Sequence, residues 1–132
     1  MKLVSWNVRG LGGFEKRREV RSLLKDQRPF IVCLQETKLQ VCDDDVCSSM
    51  CDLQSMVYSF RLSHGASSGL LSVWDRSEVD VWATVSFEHV LVIHGRFLKS
   101  NEKFYVFNVY APCDNRAQEV LWESLSARLA PL

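Results

Sequence analysis

The sequence has no apolar run that approaches the roughly 18 to 20 residues of a membrane-spanning helix, and it has no net charge. Its 16 lysines and arginines are balanced by 16 aspartates and glutamates. The first absence argues against a membrane protein. The second removes any overall attraction to nucleic acid or anionic lipid, so a polyanion would have to be bound locally. The chain also opens on a strand pattern rather than a secretion signal, and we therefore expect a soluble, intracellular protein.

A disulfide framework is not expected either, because five cysteines is an odd number and the expected compartment is reducing. Cys33 lies in an apolar run and is predicted to be buried. Cys42, Cys47 and Cys51 accompany three consecutive aspartates at 43–45. Their spacing matches no zinc pattern, and the aspartates lack the alternate spacing of a calcium loop. We interpret this segment as a solvated loop or short helix without a metal.

Internal repeats, low-complexity segments and long linkers are absent from the 132 residues, of which 47% are hydrophobic. A chain of this length and composition can bury one core of its own. We therefore treat residues 1–132 as a single unit.

Two apolar runs rich in β-branched and aromatic residues, at 1–11 and 30–38, are predicted strands. Residues 14–25 between them have the pattern of an amphipathic helix with Val20, Leu23 and Leu24 on one face. A crossover of this kind sets both strands parallel, with their C-terminal ends at one edge of the sheet. The basic residues of the helix alternate with acids, which favours a solvated face over a phosphate-binding patch.

Each of these two strands ends in an oxygen-bearing side chain, Asn7 or Glu36. Side by side, they suit Mg²⁺, which takes one or two protein carboxylates and completes its shell with water and substrate phosphate. The alternative is that either residue is a strand-end polar group bonded to nearby backbone. Tyr110, at the end of a later strand, either donates its phenol to a phosphate or is an edge aromatic with its hydroxyl in water.

Five further strand-like runs lie between residues 55 and 110, separated by turn signals. Their short connections predict an antiparallel meander, and the whole chain is predicted to be α/β, with one mixed sheet and flanking helices. The last run, at 103–110, is apolar almost throughout, which predicts a central strand covered on both faces. Asp114 or Asn115 is the predicted N-cap of a final helix with Leu121, Leu125 and Leu129 at four-residue steps.

Four short motifs occur in the order and spacing of one superfamily. They are Trp6-Asn7-Val8-Arg9-Gly10, Leu34-Gln35-Glu36-Thr37-Lys38, Ser68-Gly69-Leu70-Leu71 and Asn108-Val109-Tyr110-Ala111-Pro112. On these residues the chain resembles the endonuclease/exonuclease/phosphatase superfamily. The amino-acid sequences of the second and fourth motifs are most similar to those of the apurinic-endonuclease-like domain of LINE-type (non-LTR) retrotransposons, particularly those of plants.

The resemblance implies a four-layer α/β/β/α sandwich, of which this chain is the N-terminal half. It also implies magnesium-dependent hydrolysis of phosphodiester bonds in DNA, with manganese as an alternative metal. Residue by residue, Glu36 matches the family's metal-binding glutamate, Asn7 the asparagine beside it, and Tyr110 the tyrosine that orients the scissile phosphate. A nuclear location follows if the retrotransposon interpretation holds.

Two departures from the family pattern bear on activity. Cys113 and Asp114 follow Tyr-Ala-Pro, where the family often has asparagine, and the later motifs Gly-Asp-Phe-Asn and Ser-Asp-His have no counterpart. His64, His89 and His94 do not match the catalytic histidine of the last motif. We therefore expect a truncated domain that is inactive alone and that exposes an apolar sheet face, through which copies could associate. The alternatives are a non-enzymatic retroelement remnant or interaction module, and a fragment of a phosphatase of the same fold.

Overall fold

The computed structural model describes residues 2–63, 68–111 and 115–129. These residues form seven strands and three helices. The strands are β1 (Leu3–Asn7), β2 (Ile31–Gln35), β3 (Met56–Arg61), β4 (Leu70–Asp75), β5 (Val79–Phe87), β6 (Val90–Phe97) and β7 (Lys103–Val109). The helices are α1 (Phe14–Gln27), α2 (Asp44–Ser48) and α3 (Asn115–Leu129). None of these helices, within the described ranges, is long and apolar enough to cross a bilayer.

The strands form two sheets rather than the single mixed sheet predicted from the sequence. The first has the order β1-β2-β4-β3, and the second has the order β5-β6-β7. β1 and β2 are parallel, as the crossover through α1 predicts, and all other pairs are antiparallel. The prediction of one sheet is wrong because β4 already pairs with β2 on one side and β3 on the other. β5 therefore has no free edge of β4 to join and begins a new sheet.

Three cores separate four layers, which run from α1 and α2 through the two sheets to α3. The first core lies between α1 and the first sheet, the second between the sheets, and the third between the second sheet and α3. This arrangement agrees with an α/β sandwich. Representative buried members, in that order, are Val20 and Leu34, Ile31 and Ile93, and Val92 and Leu125.

The helix α1 has the predicted amphipathic character. Val20 is fully buried, and Leu23 and Leu24 pack against the same core. At the margin of this stripe Lys16 forms an ion pair with Glu19 at 3.0 Å, and the remaining surface carries the exposed Arg18, Arg21 and Lys25. The solvated face favoured by the sequence is therefore present, and pairs of this type are worth a few tenths of a kcal/mol in an isolated helix.

The strand β7 is not central, although its sequence predicted that it would be. It lies at the edge of the three-stranded sheet that the described residues form. Both of its faces are nevertheless covered near its C-terminal end, because Asn108 bonds to the first sheet while Phe107 and Val109 pack with Leu125. The continuous apolar run therefore reflects two covered faces and not two neighbouring strands.

The uncovered apolar sheet face expected from the sequence is present only in part. The first sheet packs against α1 on one side and against the second sheet on the other. On the second sheet α3 covers Val90 and Val92, whereas Trp82, Val85 and Tyr105 of the same sheet are 47%, 52% and 44% exposed. Among the described strands, β1, β3, β5 and β7 each have a neighbour on one side only. Self-association stays a prediction, and open edges of this kind can accept another strand.

Some predictions for the C-terminal part and one loop fall outside the described residues. These concern His64, Cys113, Asp114 and the side chains of Leu121 and Leu129. Leu125, from the predicted apolar stripe of α3, is buried at 8% exposure. The helix begins at Asn115, so Asn115 is not its N-cap, and the other predicted N-cap, Asp114, lies outside the described residues.

Candidate functional site

The C-terminal ends of β1 and β2 lie beside each other at one edge of the first sheet. Asn7, the last residue of β1, pairs with Gln35, the last residue of β2. The pairing continues past the strands, because the Val8 N–H donates to the Gln35 carbonyl at 3.0 Å and the Gly10 N–H donates to the Glu36 carbonyl at 2.7 Å. The crossover therefore places Asn7 and Glu36 at the same edge.

The two loops that leave this edge hold three non-glycine residues in the left-handed region. Arg9, Glu36 and Lys38 each have a φ of 54°. Such conformations cost about 1 to 3 kcal/mol each and are retained where the surrounding structure imposes them, often at functional sites. Their concentration in two adjacent loops marks this edge as a candidate site.

The side chains of Glu36 and Asn7 differ in their surroundings. Glu36 is half-buried, and its carboxylate makes no hydrogen bond or ion pair within the part of the chain that the structure describes. Asn7 is exposed, and its Oδ1 accepts from the Arg9 N–H at 3.2 Å. This bond agrees with the alternative interpretation, in which Asn7 is a strand-end polar group bonded to nearby backbone. An amide oxygen has a second lone pair, so Asn7 can also accept from or bind another partner.

The loop after Glu36 is fixed by the loop that precedes β4. The Thr37 N–H donates to the Gly69 carbonyl at 3.3 Å, and the Lys38 N–H donates to the Ser68 carbonyl at 2.6 Å. Gly69 has a φ of 86°, and a Cβ at this position would lie 2.5 Å from Thr37 Oγ1. Only glycine fits here. This contact explains why the Ser68-Gly69 motif accompanies the Glu36 motif.

Tyr110 lies at the end of β7, and the end of β7 faces the end of β2. Its N–H continues the ladder by donating to the His89 carbonyl at 3.0 Å. Two residues earlier, Asn108 Oδ1 accepts a hydrogen bond from Gln35 Nε2 at 2.9 Å. The three predicted site residues therefore share one edge of the sandwich. The sequence motifs contain Gln35 and Asn108, but nothing in the sequence alone indicates that the two amides meet.

His89 is a neighbour of Tyr110 that the motifs did not assign to the site. It occupies the turn between β5 and β6 with a φ of 65°, and its ring centroid lies 6.4 Å from that of Tyr110. Its Nδ1 is buried without a hydrogen-bond partner among the described residues. His94, in contrast, lies within β6 and stacks between Trp82 and Tyr105 on the outer face of the sheet.

The cysteine and aspartate segment contains the predicted short helix, but it is not solvated throughout, because Cys42 and Cys47 are buried in the first core. Asp43 caps α2 by accepting from the Val46 N–H at 3.0 Å, and Asp44 accepts from the Tyr58 hydroxyl at 2.7 Å. Cys47 is fully buried, and its hydrogen bond with Cys42 together with burial raises the pKa of its thiol.

The residues at the sheet edge fit a magnesium site of the open kind. Within the described ranges no group of three or more His, Cys, Asp and Glu side chains is placed to hold a metal ion. Mg²⁺ does not require such a group, because it is often held by one or two carboxylates with water and substrate phosphate. The Glu36 carboxylate, half-buried and without a partner among the described residues, and the Asn7 amide oxygen stand at the same sheet edge and are donors of that type.

Comparison with known sequences gives one family and one curated relative. The model of the Endonuclease/Exonuclease/phosphatase family matches residues 4–131. An exodeoxyribonuclease of Bacillus subtilis is 32% identical to this chain over 124 residues. The match covers 90% of this chain and 46% of that enzyme. The chain therefore spans about half the length of the curated relative that it matches.

Solved structures share the fold at low sequence identity. AP endonuclease LMAP from Leishmania major matches with a TM-score of 0.64 and 20% identity over 83% of this chain and 40% of that one. D. rerio TDP2, solved with a single-strand DNA product, matches with a TM-score of 0.69 and 21% identity over 97% of this chain and 55% of that one. The catalytic domain of Xenopus laevis APE2 matches with a TM-score of 0.60 and 21% identity over 96% and 50%, respectively. These likenesses establish the fold.

Proposed function

The chain belongs to the Endonuclease/Exonuclease/phosphatase family, and we propose that it forms the metal- and phosphate-binding part of a phosphodiesterase that acts on DNA. The observation that carries this proposal is the parallel pairing of β1 and β2, which places Asn7 opposite Gln35 and next to Glu36. Nucleases of this family generally use divalent metals. We propose Glu36 and Asn7 as the metal ligands of this chain, with Mg²⁺ as the ion and Mn²⁺ as a substitute.

Each site residue has a distinct chemical role in this proposal. Glu36 contributes the one negative charge of the protein donor set, and Asn7 contributes a neutral oxygen. A bound divalent ion neutralises charge that builds on phosphate oxygens and lowers the pKa of a bound water. Tyr110 donates its phenolic hydrogen to a phosphate oxygen and so orients the phosphodiester at the same edge.

DNA is the proposed substrate for two reasons. The exodeoxyribonuclease of Bacillus subtilis and AP endonuclease LMAP are, by their names, nucleases, and TDP2 was solved with a DNA product. In addition, Arg9 and Lys38 are exposed in the two loops beside Glu36, where they supply local positive charge that a phosphate backbone attracts. The chain as a whole has no net charge, so this local charge matters.

The finer proposal is a DNA-nicking endonuclease of the LINE-type retrotransposon class. It is supported by the residues of the Gln-Glu-Thr-Lys and Asn-Val-Tyr-Ala-Pro motifs. The residues that activate water in this family have no match among these 132 residues. We therefore propose that hydrolysis needs a further segment, and that the chain alone binds metal without turnover. Positioned acid–base groups contribute about 10²- to 10⁴-fold to such reactions.

The test is nicking of supercoiled plasmid by two proteins. The first is the 132-residue chain, and the second, called the extended protein below, is the same chain followed by the part of the Bacillus subtilis exodeoxyribonuclease beyond the matched region. With Mg²⁺ we expect nicking at background level for the chain and clear nicking for the extended protein. Magnesium-dependent nicking by the 132-residue chain that disappears in Glu36→Ala would contradict the need for a further segment. A folded extended protein that never nicks would contradict the proposed function.

A further inference from the structure

A pair of buried side-chain amides connects the two sheets close to the candidate site. Gln35 and Asn108 are 9% and 1% exposed, and Gln35 Nε2 donates to Asn108 Oδ1 at 2.9 Å. They share their strand faces with Cys33 and Val106, which belong to the apolar core between the sheets. An apolar pair would fill this space without the cost of removing two amides from water. The presence of the amides therefore needs an explanation other than burial.

The Asn108 amide reaches both central strands of the first sheet. Its Nδ2 lies 3.2 Å from the Leu34 carbonyl oxygen on β2 and 3.1 Å from the Leu71 carbonyl oxygen on β4. Gln35 Nε2 in turn donates to Ser5 Oγ on β1 at 3.0 Å. The Asn108 side chain of β7 thus bonds directly to two strands of the other sheet and, through Gln35, is linked to a third. Hydrogen bonds depend on distance and angle, so these contacts define the relative position of the sheets more narrowly than apolar packing does.

The amide pair stands immediately before two proposed site residues. Gln35 precedes Glu36, and Asn108 lies two residues before Tyr110, whose N–H still bonds to the His89 carbonyl at 3.0 Å. Residues two apart on a strand share a face, so Tyr110 leaves β7 on the side of the first sheet. We propose that Gln35 and Asn108 are positioning residues that set the separation of Glu36 and Tyr110 across the two sheets. This inference rests on the proposed function of that edge.

Loss of the amide pair should affect the reaction rate, because catalysis tolerates little displacement of the reacting groups. A misplacement of about 1 Å between a metal-held group and a phosphate-orienting group costs about 10²-fold in rate. Loss of the amide pair should therefore lower the rate of nicking by the extended protein about 10²-fold. Glu36 keeps its position in the first sheet, so metal affinity should be unchanged. If the amide pair only stabilised the fold, its loss would not lower the nicking rate while leaving the metal affinity unchanged.

The test uses two double variants of the 132-residue chain. Gln35→Met with Asn108→Leu replaces both amides by apolar groups of similar shape, so that neither amide is left buried and unpaired. Gln35→Asn with Asn108→Gln exchanges the side-chain lengths and keeps an amide on both sides. Each variant is first compared with the wild type by chemical denaturation. The probe is Mn²⁺ alone, followed through the NMR line broadening of backbone amides in both sheets.

In the wild-type chain we expect Mn²⁺ to broaden the signals of Gly10 and Lys38, beside Glu36, and of Tyr110. Paramagnetic broadening falls with the sixth power of distance. In the apolar variant we therefore expect Tyr110 to lose a measurable part of its broadening, while Gly10 and Lys38 keep theirs. The variant that exchanges the two amides should show the same broadening of the Tyr110 signal as the wild-type chain.

The outcomes separate this inference from the proposed function. Unchanged Tyr110 broadening in a folded apolar variant would overturn the positioning role and leave the metal site standing. No broadening at any of the three amides in the wild type would overturn the metal site and the positioning role together. If the apolar variant does not fold, Asn108→Thr decides by the same signal, because it is neutral and of similar volume but lacks the amide N–H groups that reach the Leu34 and Leu71 carbonyls.

Discussion

Glu36→Ala in the extended protein is expected to lower magnesium-dependent nicking at least about 10²- to 10³-fold, the scale seen when one preorganised group that stabilises transition-state charge is removed. Glu36 is the carboxylate at the shared edge of β1 and β2, and it has no partner among the described side chains. Its replacement leaves Asn7 as the remaining protein oxygen of the proposed donor set, which is too little charge to hold Mg²⁺. The measurement is the initial rate of conversion of supercoiled to open-circular plasmid.

Two matched variants identify the cause of that loss. Glu36→Gln keeps the size of the side chain and removes its charge, so it should lose activity to a similar degree. Glu102→Ala removes an exposed carboxylate before the start of β7, at the opposite end of that strand from Tyr110, and should keep the full rate. Retention of more than half of the activity in Glu36→Ala would remove Glu36 from the metal site.

The largest stability effect is expected for Gly95→Ala in the middle of β6. A Cβ at Gly95 would lie 2.1 Å from the Asp80 carbonyl oxygen and 2.9 Å from the Val81 Cα. Both are backbone atoms of β5, next to the irregular register between Val81 and Ala83. Because a backbone cannot move aside as a flexible side chain can, β5 and β6 must separate. We expect the free energy of unfolding to fall by roughly 3 kcal/mol or more.

Gly12→Ala is the matched control for this substitution. A Cβ at Gly12 would meet nothing within 4 Å. Alanine there restricts the unfolded chain and should change the free energy of unfolding by less than about 1 kcal/mol, in the stabilising direction. Urea denaturation of the two variants beside the wild type measures the difference. Equal stability of Gly95→Ala and the wild type would mean that β5 and β6 do not approach each other as closely as described.

The part of the fold that was predictable depends on local pattern. The apolar runs around Asn7 and Glu36, with a helical stripe between them, contain enough information for a parallel pair because a crossover of that length permits little else. The same argument placed both oxygens at one edge. The motif around Tyr110 lies at a strand end for a similar local reason, since Pro112 follows it.

The division into two sheets was not predictable from local pattern. It depends on β4 being paired on both sides, which is a long-range property of the chain. The apolar run of β7 was misinterpreted because burial by α3 and the first sheet looks the same in sequence as burial between two strands. The contact between Gln35 and Asn108 joins residues 73 positions apart, and no periodicity connects them. The left-handed φ of Glu36 was likewise not predictable, because glutamate rarely adopts this conformation.

The central claim is that Glu36 and Asn7 together hold one divalent ion at the edge of the first sheet. The most direct measurement is an anomalous difference map from crystals of the 132-residue chain soaked in Mn²⁺. We predict one peak between the Glu36 carboxylate and Asn7 Oδ1, at the short metal–oxygen distances of about 2.0 to 2.2 Å typical of small divalent ions, and no peak there in Glu36→Ala. A peak at the aspartates of 43–45 with none at Glu36 would contradict the claim.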